Sequence, residues 1–275
     1  MSDPYLDPAS GILYNKFGLT NQEELDRAET DSVLVRSTLL QLNPLSGNFD
    51  SEHLKDIHSH LFRDVYDWAG QFRIVPLAKA DYVHRGQFTR FTPPELIEEE
   101  LDKVFRQLAE EHYLAGLQRK EFARKVAALL SEINRIHPFR EGNGRAQRQF
   151  VRQLAASLGH KLHFGVVSRE RFIQASIVSA KGDLTMMERL LDEITDTERI
   201  QPLTKVISHF ERNGFNWNDI YLATTTPRQT YTGTFAGSDG ANFFFRDDEN
   251  RIFVGNLRDL QKPVESGEKI SFTAL

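Results

Sequence analysis

The sequence predicts a mainly α protein that ends in a small all-β module. Three observations carry that prediction. Up to about residue 200 the chain is rich in Leu, Ala, Glu, Arg and Lys, with apolar residues at helical spacing. Within that part a single stretch, 72–91, reads as extended. After residue 220 the pattern changes to short runs rich in Thr, Tyr, Phe, Val and Ile, bounded by Gly, Asp and Asn. The expected organisation is a helical domain over 1–200, a connecting segment over 201–219 and a β domain over 220–275, within the two domains that 275 residues accommodate.

The elements follow in order. The opening MSDPYLDP is acidic and broken by proline, so it does not read as a cleaved secretory signal. Thr92-Pro93-Pro94-Glu95 reads as a helix start, with Thr92 as cap and Glu95 reaching back as its capping-box partner. Leu96, Leu101, Val104, Phe105 and Leu108 supply the apolar face of that helix. A more strongly apolar helix carries Phe122, Val126, Leu129, Leu130, Ile133 and Ile136, and Pro138 ends it. Phe150, Val151, Leu154 and Leu158 mark the helix that follows. Met186 and Met187 read as core filling. The connecting segment reads as a helix and loop ending near Gly214. QTYTGTFAG, ANFFF, RIFVGNL and KISFTA read as strands, with Asp247-Asp248-Glu249-Asn250 as the turn of a hairpin.

Composition excludes several classes. No apolar run approaches the roughly 18 residues a membrane span needs, so membrane insertion is not expected. Without cysteine there is neither a disulfide nor a thiolate metal site, which suits a reducing compartment. The formal net charge of −5 argues against a generic nucleic-acid binder. Residues 204–275 hold eight Lys and Arg against nine Asp and Glu, a net charge of −1, so no basic funnel for nucleic acid is expected there either. Phe243 to Phe245 would then bury alternately in a strand rather than stack on bases. His58 and His60, two apart on a helix, make a poor metal pair, and neither HExxH nor GxxxxGK(S/T) occurs.

The chemistry gathers in IHPFREGNGR, residues 136–145, at the end of the strongly apolar helix. Gly142 and Gly144 let the backbone turn its N–H groups inward, as an anion-binding nest at a helix N-terminus does. Arg145 and Arg148, three apart, add paired guanidinium groups for a polyphosphate. Glu141 would repel phosphate directly, and a divalent cation resolves the conflict, since one carboxylate with phosphate oxygens and water suits Mg²⁺. His137 faces the same turn with a pKa range that suits a general base. Taken singly, the histidine is better explained by the helix dipole, and the glycines by an ordinary helix–helix turn. The combination is far more specific than any one of them.

His137-Pro138-Phe139-Arg140-Glu141-Gly142-Asn143-Gly144-Arg145-Ala146-Gln147-Arg148 resembles the Fic-family signature HxFx(D/E)GNGRxxR at every defined position. The resemblance implies an all-helical core in which this loop joins two central helices, and transfer of AMP from ATP to a protein hydroxyl. It assigns His137 to deprotonation of the hydroxyl, Phe139 to anchoring the loop and Glu141 to Mg²⁺. Arg140, Gly142, Asn143, Gly144, Arg145 and Arg148 fall at ATP, with Asn143 and the two glycines at the α and β phosphates and the last two arginines at the outer ones. His60 to Gly70 resembles the helix before the family's flap, and 72–88 the flap itself, a β-hairpin that registers an extended target segment by main-chain pairing. On that hairpin Leu77, Ala78 and Lys79 are expected near nucleotide or target. The competing reading is a surface hairpin that packs Phe72 and Phe88 inward.

Beyond the Fic core, the order of parts resembles Bartonella effector proteins, from Asn15-Lys16-Phe17-Gly18-Leu19 to the terminal β module. The β module is then expected to be a five-stranded barrel of the oligonucleotide-binding (OB) type, in a structural or protein-contact role. In that family a domain with a secretion signal follows the barrel. The resemblance implies a type IV secreted effector that leaves the bacterial cytoplasm and modifies a protein in the host cytoplasm. A toxin of a toxin–antitoxin pair with a bacterial target, and a non-catalytic nucleotide-binding scaffold, are the alternatives. Members of the family are often silenced by a helix carrying (S/T)xxxE(G/N). The nearest match, Thr20-Asn21-Gln22-Glu23-Glu24, is broken by Leu25, so a separate small antitoxin-like protein is expected to supply that helix.

Overall fold

The computed structural model describes residues 3–81, 83–84 and 86–275. The chain divides into two compact units: Met1–Gln118 with Lys125–His160, and Arg119–Arg124 with Lys161–Leu275. Helix α4 therefore begins in one unit and ends in the other.

In the first unit α1 (Gln22–Leu42) and α5 (Asn143–Ser157) both pack against α2 (Ser51–Phe62). The Asn21 side chain caps α1 and the Asp50 side chain caps α2, each accepting a main-chain N–H of the first turn. A hairpin of β1 (Ala78–Asp81) and β2 (Gln87–Arg90) precedes α3 (Ile97–Glu110). The expected cap at Thr92 is not made. A 3₁₀ turn over Pro94–Leu96 precedes α3, whose start has no side-chain cap. Thr92 instead accepts Arg135 Nη1 on its hydroxyl at 3.4 Å and is 7% exposed. The 3₁₀ turn also rotates Leu96 out of the apolar face, leaving it 42% exposed.

Helix α4 (Arg119–Ile136) buries every apolar residue that its spacing marked, five of the six at 0% exposure and Leu129 at 8%. Full burial of such side chains stabilises by roughly 2 kcal/mol each, which makes α4 a fixed support for whatever follows it.

The second unit contains α6 (Arg169–Ser179), α7 (Thr185–Ile194), α8 (Thr197–Arg212) and a five-stranded sheet. The strands are β3 (Leu222–Thr224), β4 (Thr230–Ser238), β5 (Asn242–Arg246), β6 (Ile252–Asn256) and β7 (Lys269–Thr273), in the order β3-β6-β5-β4-β7. The expected turn does join β5 to β6, with the Asp247 N–H donating to the Arg251 carbonyl and Asn250 in the left-handed region. Phe243 and Phe245 are buried while Phe244 is half-buried, the alternation a strand predicts. One face carries an aromatic core that includes Tyr231, Phe243, Phe245, Phe253 and Phe272.

The closed OB-type barrel is not found. β3 and β7 are the ends of an open sheet, and the three-residue β3 pairs parallel to β6. The physical reason lies along the outer side of β3. The Thr224 N–H and hydroxyl donate to Glu193 Oε1, Arg189 Nη2 donates to the Thr224 carbonyl at 2.7 Å, and Arg171 Nη1 donates to the Leu222 carbonyl at 3.1 Å. Arg171 and Glu193, 1% and 0% exposed, are themselves paired. Side chains of α6 and α7 thus take the hydrogen-bonding positions that a closing strand would occupy.

Candidate active site

Helix α4 ends where Pro138 forbids its continuation, and the last residue before the proline is His137, at φ 52°, ψ 61°. A left-handed conformation at a helix end usually falls to glycine or asparagine. For histidine it costs on the order of 1–2 kcal/mol, so the neighbouring structure must hold it. The imidazole is 6% exposed and lies against the Phe91 ring, with centroids 3.8 Å apart and planes at 15°. Neither ring nitrogen has a hydrogen-bond partner of ordinary geometry. Burial, then the Lys79 ammonium, then the Arg73 guanidinium hold its pKa well below the usual imidazole value, against an opposing pull from the Asn134 main chain. The ring is therefore a neutral base at physiological pH.

The loop from 138 to 142 is braced from inside. Phe139 is 0% exposed, and both ends of the Asn143 amide are committed to it: Oδ1 accepts the Phe139 N–H at 2.9 Å and Nδ2 donates to the Phe139 carbonyl at 2.7 Å. Beneath the loop, His58 accepts the Gly70 N–H on Nδ1 at 2.9 Å, which leaves the Nε2 proton to donate to the Glu141 carbonyl at 3.0 Å. Its ring stacks on Phe139 at 3.8 Å, and burial pushes its pKa down to about 4. The expectation that His58 is no metal ligand agrees with this tether. Gly142 opens α5 at φ 81°, and a Cβ there would lie 2.3 Å from the Phe62 ring. Only glycine fits both demands.

Beyond the loop, the Asn143 and Gly144 N–H groups open α5 without a side-chain cap, while the Arg145 and Ala146 N–H groups donate to the Gly142 carbonyl at 3.1 Å. Glu141 is kept ionised: burial favours the neutral acid, but the Lys79 ammonium, the Gly142 N–H and the Arg145 and Arg140 guanidiniums outweigh it. Lys79, on β1 of the hairpin, acts on both Glu141 and His137, so flap and loop share one electrostatic site. Arg145 lies over Phe62 at 4.7 Å and pairs with Glu29 of α1 at 2.5 Å, while Glu29 also accepts the Tyr66 hydroxyl. Arg148 is half-buried, and desolvation with the nearby Arg145 and Arg152 lowers its pKa to about 10. Arg140 turns to Asp3, at 2.8 Å.

On the flap, Leu77 is half-buried and precedes the register, and the pairs Ala78↔Arg90 and Lys79↔Thr89 open it. Phe72 packs on Phe139, but Phe88 is 67% exposed, so the hairpin does not pack both aromatics inward. Tyr82 and Arg85, quoted within the flap stretch, lie outside the described residues.

Three site residues escaped the sequence. His58 carries no sequence signal beyond a poor metal pairing with His60, Glu29 carries no motif, and Arg73 is hidden in the flap stretch. Arg73 is 1% exposed and donates from Nε to the His137 carbonyl at 2.8 Å. An arginine flanked by Phe72 and Ile74 was the one available signal. Among the described residues no cluster of three or more metal-ligating side chains exists. A groove of about 810 Å³ in the second unit, between α8 and the β4–β5 hairpin, contains none of the motif residues.

Residues 48–155 match the Fic/DOC family. A protein adenylyltransferase of Bartonella henselae is 34% identical over 284 residues, 98% of this chain and 52% of that protein. The probable protein adenylyltransferase Fic of Escherichia coli is 35% identical over 192 residues, 70% of this chain and 92% of that one. Among solved structures, the type IV secretion system effector protein BepA superposes with a TM-score of 0.88 at 32% identity, over 98% of this chain and 95% of that chain. BepC of Bartonella tribocorum with bound AMPPNP gives 0.65 at 28% identity, over 70% and 96%. The chain spans about half the length of the curated relatives that it matches along nearly its whole length.

Proposed function

The chain belongs to the Fic/DOC family, and we propose that it is a protein adenylyltransferase, moving AMP from ATP to a Ser, Thr or Tyr hydroxyl of a target protein. The observation that carries this reading is the neutral, buried imidazole of His137 beside a glycine-opened helix N-terminus and an ionised Glu141.

In the reaction the target oxygen bonds to the α-phosphorus, and the bond from that phosphorus to the α–β bridging oxygen breaks. The hydroxyl proton passes to His137, and pyrophosphate leaves. Such a displacement asks the protein for position, charge neutralisation and one proton acceptor. His137 takes the proton. The N–H groups at the start of α5 hold phosphate oxygens, and Arg145 and Arg148 take the outer phosphates. Because the Asn143 amide already bridges Phe139, it keeps the loop in shape while the main chain does the holding. Glu141 fits the single carboxylate of a Mg²⁺ site completed by phosphate oxygens and water. Magnesium bound there would offset charge gathering on the leaving pyrophosphate. The flap, with Leu77, Ala78 and Lys79, registers the target.

The similarity to BepA supports a type IV secreted effector, made in the bacterial cytoplasm and acting in a host cell. A separate antitoxin-like partner remains the expected inhibitor. The nearest inhibitory match, Thr20-Asn21-Gln22-Glu23-Glu24, is broken by Leu25. The test is incubation with α-labelled ATP and Mg²⁺ in host and in bacterial lysates. Label on a host protein that vanishes with His137→Ala supports the effector, and label confined to a bacterial protein supports the toxin. No label in either lysate, with ATP still bound, would replace transfer by nucleotide sensing.

A further inference from the structure

Arg73 lies between the flap and α4 and makes hydrogen bonds to both. Its guanidinium donates from Nε to the His137 carbonyl at 2.8 Å and from Nη2 to the Ile136 carbonyl at 3.2 Å. From Nη1 it donates to the Val75 carbonyl at 2.7 Å, and from Nη2 also to the Thr92 carbonyl. Two acceptors thus belong to the end of α4 and one to each stem of the flap. At 1% exposure, such a side chain is costly unless its donors are used. Here the partners are carbonyls, and those at 136 and 137 carry the negative end of the α4 dipole.

We propose that Arg73 is a positioning residue that fastens both stems of the flap to the backbone of His137, so that target register and base position are set together. The proposal rests on the adenylyl-transfer reading for its catalytic consequence. Main-chain bonds run along the same seam. The Arg73 N–H donates to the Pro138 carbonyl at 2.8 Å, and the Thr92 N–H to the Arg135 carbonyl at 3.4 Å. Phe91, beside Thr92, donates its N–H to the Leu77 carbonyl at 3.2 Å and stacks its ring on the imidazole. The stems therefore set the height of the hairpin and the wall of the histidine pocket. A planar fork of five donors reaches four divergent acceptors, and a lysine, with three donors on one nitrogen, does not. The left-handed backbone of His137 needs such a fastening, because relaxation at 137 would swing the imidazole away from the phosphate site.

The experiment compares wild type with Arg73→Lys in the full chain. With a protein band labelled by wild type as substrate, kcat is expected to fall about 50-fold or more, as a displacement near 1 Å would require. AMPPNP affinity should stay within about threefold, because the N-terminus of α5 is untouched. Hydrogen–deuterium exchange should rise together over 73–77, 91–92 and 135–138, while α2 and α5 keep their protection. An unchanged kcat, an equal loss of AMPPNP binding, or exchange that rises on only one side of the seam would overturn the proposal. Should Arg73→Lys not fold, wild type decides: the amides of Arg73, Thr92 and His137 should share one opening free energy, and separate values would refute the coupling. Should wild type label nothing, adenylyl transfer fails while the exchange measurement still judges the fastening.

Discussion

His137 and Gly142 bound the motif loop, and each is held where an ordinary residue would not rest. Replacing His137 by Ala is expected to lower labelling by on the order of 10²–10⁴-fold, the usual contribution of a general base. The same variant should bind AMPPNP within a few-fold of wild type, and calorimetric titration checks both halves. Gly142→Ala puts a Cβ into the Phe62 ring and a side chain at φ 81°, so about 3 kcal/mol of stability should be lost in urea unfolding. Adding Phe62→Ala should relieve the collision and leave the backbone penalty. The loop was legible because its residues are consecutive and each type has a distinct chemical use. Arg73 and His58 were not, because their partners lie 64 and 83 positions away, and a single sequence records no such pairing. Asn143 differs: the family resemblance implied phosphate for its side chain, whereas its amide is bonded to Phe139, four positions away in its own loop.

At the scale of elements, the flap is an electrostatic as well as a geometric device. Lys79 lowers the pKa of His137, so Lys79→Ala should let that pKa rise toward the ordinary imidazole value. Proton uptake then begins at higher pH, and the acid limb of the kcat/KM profile should move upward. A profile unchanged by the substitution would detach Lys79 from the base. In the second unit, Glu193→Gln leaves Arg171 buried without its counter-ion. Breaking such a pair costs about 3–5 kcal/mol, a loss readable as a lowered urea midpoint. The alternation of apolar residues announced β4 to β7, and the Asp-rich turn announced the β5–β6 connection. β3 stayed hidden because three residues are too few for a pattern, and with it went the question of closure. Whether a sheet closes is decided by what lies beside its last strand, and here that is three side chains, Arg171, Arg189 and Glu193, from α6 and α7.

For the whole molecule, acid is the revealing perturbation. His53, His58 and His137 are all buried with depressed pKa values, the cause in each case being burial first. A folded pKa below the unfolded value of about 6.5 gives stability that is complete above that pH and lost as pH falls through it. For His58 the loss continues to about pH 4 and amounts to on the order of 3 kcal/mol. Urea midpoints measured from pH 7 to pH 4 should therefore fall steadily, and His58→Gln should flatten the slope. The change from helical to β composition near residue 220 was visible in the sequence. The gathering of α6 to α8 with the sheet was not, because helix periodicity shows which face is buried and not which element covers it. The side-chain seal along β3 leaves β7 as the single unpaired border of the sheet among the described residues. A sheet open on both sides can add copies without limit, whereas one open on a single side can join only one other of its kind. Strand pairing between crowded copies of this sheet would end at two and could not propagate into a fibre.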